Sequence, residues 1–228
     1  MATLLLERIQ YIGVDLGKLE DHSAIVMLEK TRMFKEELNE KIETNHVRHI
    51  ERCPIGMPYH DVVEKVWNMF QNPTIKRKGE LIIDITGVGE PVYEMFEKRK
   101  LYPIGINIHG GNVVTDKGNG RWSVPRMDLF TTLRIMFESE NIQIASSLPL
   151  NEELLEEIKN LRDRKSPLMK EEDILWRQRE HDDIAFALML CCWWAARTFP
   201  RIPEAYEHDK PWEEDEKFSN DYDPYGRQ

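Results

Sequence analysis

Two apolar, β-branched runs in this chain end on aspartate, and an apolar stretch near its far end begins on one. The first closes Tyr11-Ile12-Gly13-Val14 with Asp15, and the second closes Leu81-Ile82-Ile83 with Asp84. Consecutive branched apolar residues suit strands covered on both faces of a sheet. The third acid, Asp183, opens Ile184 to Ala196, a run too short to cross a membrane that reads as a buried helix. Taken singly, an Asp that ends a strand is as often a turn former as a ligand, and Asp183 alone could be a helix-start acid; the three together, on rigid elements, suit divalent metal binding better than solvation. The order strand-Asp, strand-Asp, Asp-helix therefore predicts an α/β sheet that brings three acids to one pocket. The strands of Asp15 and Asp84 should lie side by side at its centre, with ligands bound beyond their carboxyl ends.

The rest of the chain fills in around that frame. Residues 11–16 and 23–28 read as a hairpin joined by the polar turn Gly17 to His22. Alternation from His46 to Ile50 predicts a third strand, leaving Arg32 to Lys41 as a loop or short helix. Val62, Val63, Val66, Trp67, Met69 and Phe70 share a broad helical face, and Asn72-Pro73 should end that helix. Lys76 to Gly79 leads into a strand from Leu81 to Ile85, followed by a helix from Glu90 to Lys100 and a strand from Pro103 to Ile108. Residues 109–120 are rich in Gly, Asn and Asp and read as a flexible loop. A helix from Pro125 to Glu138, a short strand from Ile142 to Ala145, and a helix capped by Asn151 and ending near Arg162 complete the pattern. Residues 165–180 follow no clear period. A hairpin followed by alternating helices and strands implies a central mixed β-sheet flanked by helices. One domain over residues 1–198 is expected, with an acidic, aromatic, irregular tail over 199–228.

Composition narrows the function classes. At 228 residues, with 41% hydrophobic residues, the chain has enough material for one real core and is neither disordered nor membrane-spanning. Its start lacks the basic and apolar regions of a secretory signal. Cys53, Cys191 and Cys192 show neither a disulfide framework nor metal-ligand spacing, and the adjacent pair reads as small core residues. A net charge of −10 argues against a general nucleic-acid binder but not against a metal site that concentrates acid. The basic residues, including Lys76-Arg77-Lys78, Lys98-Arg99-Lys100, Lys117, Arg121, Arg126 and Arg134, read first as a solubilising surface and second as a path for phosphates.

Hard divalent cations such as Mg²⁺ prefer oxygen ligands, usually a few carboxylates with waters and substrate phosphates. Two ions about 3.5–4 Å apart can activate a water and stabilise the leaving oxygen of a phosphodiester. Asp15, at the best-fixed place, is the candidate bridge, with Asp84 and Asp183 each binding one metal. Asp182 reads first as the helix N-cap and second as a fourth ligand. Gly87 and Gly89 read as a tight turn that helps to aim Asp84. His181 suits a surface or supporting position better than a ligand, His109 lies in a loop able to reach DNA or merely mobile, and Trp193 and Trp194 suit helix packing.

At these residues the chain resembles the nuclease domain of the large terminase subunit of tailed bacteriophages, a family with a ribonuclease-H-like fold. The motifs are Gly13-Val14-Asp15 with the turn to Asp21-His22-Ser23-Ala24-Ile25, and Asp84-Ile85-Thr86-Gly87-Val88-Gly89-Glu90-Pro91-Val92. Pro125-Arg126-Met127-Asp128-Leu129 and His181-Asp182-Asp183-Ile184-Ala185 complete the set, which spans about residues 11–197. The resemblance implies a metal-dependent endonuclease that cuts concatemeric viral double-stranded DNA during packaging, with two Mg²⁺ or Mn²⁺ ions held by Asp15, Asp84 and Asp183. It implies a packaging ATPase, the small terminase and the portal as partners, and the host cytoplasm as the setting, with no membrane. No Gly-x-x-x-x-Gly-Lys-[Ser/Thr] phosphate loop occurs, so ATP-driven translocation is not expected of this chain. Either the domain stands isolated or its motor is encoded separately.

Three rivals share parts of the pattern. A junction resolvase or integrase-type nuclease would keep the metal site and change the substrate. Actin-like sugar kinases and chaperone ATPases also open on such a hairpin but resemble two tandem copies of the fold. A non-catalytic packaging or assembly protein would fit the charge and the tail, but has no reason to keep all three acids.

Overall fold

In the computed structural model, which describes residues 3–17, 21–35, 40–87, 89–163 and 182–198, eight strands form one sheet. Strands β1 (Thr3–Asp15), β2 (Ala24–Lys35) and β3 (Glu40–Arg52) make an antiparallel meander. Strand β4 (Gly79–Asp84) joins β1 in parallel, and β5 (Ile104–His109) joins β4 in parallel. The remaining strands are β6 (Thr115–Gly118), β7 (Arg121–Pro125) and β8 (Ile142–Ile144), and the spatial order is β6-β7-β5-β4-β1-β2-β3-β8. A meander whose first strand is extended by parallel neighbours is the ribonuclease-H-like arrangement, and β1 and β4 meet at its centre as expected.

Helices cover both faces. α1 (Tyr59–Met69), α2 (Pro73–Lys78) and α3 (Gly89–Lys98) share a core with Ile12, Val14, Ile25, Leu81 and Ile83 on one face. α4 (Arg126–Glu138), α5 (Asn151–Asp163) and α6 (Asp183–Arg197) cover Tyr11, Ala24, Val26, Ile82 and Ile106 on the other. Strand residues alternate between these cores because side chains on a strand point to opposite faces in turn. Every residue of α6 from Asp183 to Ala195 is buried, which suits a helix apolar on all sides. Its seat depends on Gly13: a Cβ there would stand 2.1 Å from the Ala187 carbonyl oxygen and 2.7 Å from Cys191 Sγ. Glycine thus lets α6 lie directly on β1. Among the described residues no helix is long and apolar enough to cross a membrane.

Four local readings change. Strand β1 begins at Thr3, well before Tyr11, and Arg32–Lys35 and Glu40–Lys41 are strand, not loop or helix. Charged side chains disguised this long hairpin, but they pair across it: Lys30 and Arg32 both reach Glu43, and Thr31 meets Thr44 at 2.7 Å. Pro73 to Lys78 is a short helix, because the Asn72 side chain accepts the Thr74 N–H at 3.0 Å and Pro73 suits a first turn. Residues 115–118 and 121–125 pair as a hairpin. Asn119 at φ 50° and Gly120 at φ 73° are its turn, while residues 110–114 remain irregular as expected. Residues 164–181 and 199–228, including His181 and the expected tail, lie outside the described residues.

Candidate metal centre

The site grows from strand register. Val14 lies beside Ile83, so Asp15 and Asp84 emerge next at the ends of adjacent parallel strands. Asp15 also pairs with Ala24, and Ala24 with Arg52, while Asp84 pairs with Ile106. Laterally paired residues point to one face, so Ile106, Asp84, Asp15, Ala24 and Arg52 form a single row across five strands. That row lies at one edge of the α6 face, and the head of α6 brings Asp182 and Asp183 to it. All four sequence-predicted acids are thus in the same neighbourhood.

Each acid is fixed differently. The Thr86 N–H donates to Asp84 Oδ1 at 2.7 Å, a turn closed by the aspartate's own side chain. Gly87 in this turn adopts φ 70°, and Gly89 comes so near that a Cβ would be 2.3 Å from the Asp84 carbonyl oxygen. The turn therefore does aim Asp84. Around Asp15, the Tyr59 hydroxyl donates to the Gly17 carbonyl at 3.0 Å, and the Gly17 N–H donates to Ser23 Oγ at 3.1 Å. These contacts anchor the chain just beyond the strand end. Asp183 is buried and its Oδ2 accepts from Arg52 Nε at 2.9 Å.

The electrostatics follow from crowding. Burial, and then the charges of Asp84, Asp183 and Asp182, push the Asp15 carboxyl well above its ordinary value, with Arg126 opposing. Asp84 is also raised, by burial, against the Thr86 hydrogen bonds and Arg126. Arg126, at the start of α4, is shifted down by burial while Asp182, Asp84 and Asp15 hold it up; its guanidinium carbon stands 4.5 Å from the Phe186 ring centroid. Glu157 of α5 is pushed up to about 8, chiefly by burial, with Asp183 and Asp182 adding to it and the Ala185 N–H and Arg52 opposing. Such crowding of like charge is costly unless cations compensate it.

Two residues were missed in the sequence. Arg52 bridges Asp183 and Glu157, and Glu157 Oε2 accepts the Ala185 N–H at 2.8 Å. Asp182 occupies the N-cap position of α6 but its side chain makes no capping hydrogen bond; Glu157 caps the helix from another element. The expected Asp182 cap is thus replaced, because a buried carboxylate already lies against the helix start. Both residues left a signal. Glu157 sits on the apolar face of α5 with Leu154, Ile158 and Leu161, and Arg52 follows inward-facing Ile50 on β3.

The other sequence candidates take structural roles. His109 accepts the Gly111 N–H through Nδ1 at 2.9 Å and closes its own turn. Trp193 and Trp194 pack with Trp122 at centroid distances of 5.7 and 5.8 Å, as helix packing requires. Cys191 and Cys192 are wholly buried, and burial pushes the Cys191 thiol up to about 12. Arg99, Arg121 and Arg134 each pair with a glutamate, the surface role read first.

Among the described residues no three acids, histidines or cysteines are gathered into a coordinating group. What the row provides is a set of hard oxygen donors on rigid elements, bordered by Arg52 and Arg126. No protein-family model and no curated protein sequence matches the chain. In shape it is similar to the large terminase nuclease of the thermophilic phage G20c, at TM-score 0.47 and 17% identity over 83% of this chain and 86% of that one. It is also similar to the large terminase of a second thermophilic bacteriophage, at TM-score 0.44 and 10% identity over 66% of this chain and 31% of that one.

Proposed function

We propose that this chain is a metal-dependent DNA endonuclease, and that its acids serve the cleavage of concatemeric viral DNA during packaging. The observation that carries the reading is the row of Asp15 and Asp84 on adjacent strand ends, with Asp183 brought over it by α6. The setting in packaging rests on the motif resemblance to phage terminase nucleases. Mg²⁺ or Mn²⁺ fits the donor set, because oxygen ligands in an excess of negative charge suit hard cations. Asp15, Asp84 and Asp183 would hold two ions, with Asp182 a fourth acid within reach. When bound, such ions polarise the phosphate and lower the pKa of a water.

The protein's own contribution is placement. Burial keeps the acids from relaxing into solvent, so their preference for a cation is built in before substrate arrives. Arg126, partly buried among Asp15, Asp84 and Asp182, presents a guanidinium to the same volume and is suited to a phosphate oxygen. Hydrolysis by water, without a covalent enzyme intermediate, is the chemistry proposed. Double-stranded DNA is the substrate, and a separate ATPase, the small terminase and the portal are the proposed partners.

The test is cleavage of plasmid DNA with Mn²⁺, with Mg²⁺ and with EDTA, wild type beside Asp84→Asn. Metal-dependent cutting that the variant loses supports the reading. Folded wild type that neither cuts DNA nor binds Mn²⁺ by calorimetry overturns it.

A further inference from the structure

We infer that Arg52 and Glu157 form a positioning pair that sets Asp183 against the row of Asp15 and Asp84; this deepens the nuclease reading and rests on it. Arg52 stands in the row itself, separated from Asp15 by Ala24 alone. The small side chain between them lets the guanidinium lie toward α6 without meeting a bulky neighbour. Its Nε–H donates to Asp183 Oδ2 at 2.9 Å, and its Nη2 donates to Glu157 Oε1. The other oxygen of Glu157 takes the Ala185 N–H at 2.8 Å. One planar fork thus joins two carboxylates, and one of those carboxylates also grips the backbone of the helix that carries the other.

The result is a closed circuit through β3, α5 and α6. It leaves Asp183 little freedom to rotate, since both its backbone and one carboxylate oxygen are held. The side chains of Arg52, Glu157 and Asp183 are only 18%, 6% and 9% exposed, so solvent screens the contacts little. The role requires geometry as well as charge. Guanidinium offers two donors in a fixed plane, whereas an ammonium on a flexible stem is a single point and cannot reproduce the fork. Supporting groups of this kind orient metal-binding side chains, and their loss typically lowers metal affinity or activity about 10–100-fold.

The experiment compares wild type, Arg52→Lys, Glu157→Gln and Asp84→Asn in the full chain, by thermal melting, Mn²⁺ calorimetry without DNA, and plasmid cleavage across Mn²⁺ concentrations. Arg52→Lys is expected to melt cooperatively, bind Mn²⁺ about tenfold more weakly and cleave about 10–100-fold more slowly. Glu157→Gln, whose amide oxygen still accepts the Ala185 N–H, should move both readouts in the same direction by less. Folded variants that match wild type in Mn²⁺ affinity and cleavage, whatever their melting temperature, reduce the pair to a staple and overturn the inference. Should Arg52→Lys fail to fold, Glu157→Gln decides on the same two readouts. If Asp84→Asn also behaves as wild type, the nuclease reading itself fails. If Asp84→Asn is dead and the positioning variants are normal, only the inference fails.

Discussion

The protein buries charge in two places on the same face of its sheet, and treats it in opposite ways. Toward the far end of the long hairpin, Lys30 and Arg32 share Glu43. Lys30, 7% exposed, also donates to the Ala195 carbonyl at 3.0 Å and so ties the strand to the end of α6. Burial there pushes the Glu43 carboxyl up, but hydrogen bonds from Arg32 and Lys30 outweigh it and hold the group below its ordinary value. At the other edge, Asp15, Asp84, Asp182, Asp183 and Glu157 face Arg52 and Arg126, and Asp15, Asp84 and Glu157 are raised. Balanced buried charge fastens elements together; unbalanced buried charge is a standing cost that a fold keeps when it serves a site.

The largest effect that bears on this contrast is loss of activity. Asp15→Asn and Asp84→Asn should each lower Mn²⁺-dependent plasmid cleavage by about 10³-fold or more, equivalent to roughly 4 kcal/mol of barrier, with melting maintained or raised because each removes a charge from the crowded row. Near-normal cutting by either variant would remove that residue from the site. Next comes the seat of α6. Gly13→Ala places a Cβ into the Ala187 carbonyl and Cys191, and should cost about 3 kcal/mol in urea unfolding while also impairing cleavage. A loss below about 0.5 kcal/mol would mean that α6 does not rest on β1 as described.

The balanced cluster gives the converse. Glu43→Gln should cost about 1–3 kcal/mol at pH 7, discounted for the partial exposure of Glu43, and leave cleavage intact if folded. Because Glu43 is held below its ordinary 4.5, its contribution is present above that value and lost as pH falls through the lower folded value. The gap between wild type and variant in urea midpoints should therefore close in acid; a gap independent of pH would refute the ion-pair account. The smallest effect is at Glu80, raised from 4.5 by burial against its bond from the Trp194 indole N–H. Its stabilisation is complete below 4.5 and is lost as pH rises through the folded value, so Glu80→Gln should be more stable than wild type at pH 8 and equally stable at pH 4. Equal unfolding of both proteins at pH 8 would count against it.

Much of this was legible in advance where local pattern and burial agree. The strands ending at Asp15 and Asp84 and the helices α1, α3, α4, α5 and α6 follow from apolar period and from helix-start residues. Where charged residues pair across strands, as at Lys30, Arg32 and Glu43, period gave no sign of the hairpin's full length. The Asn119-Gly120 turn is hard to place from pattern because β6, on one side of it, is only four residues long and exposed throughout.

By itself the sequence determined which acids end which elements, since strand and helix termini are set by local residue pattern. Only the tertiary structure decided that Arg52 and Glu157, 105 positions apart, meet at Asp183, and that Glu157 rather than Asp182 caps α6. Ion pairs and caps between distant elements depend on register and helix placement. A single side chain's reach is a few ångströms, and no local pattern records which neighbour will come within it.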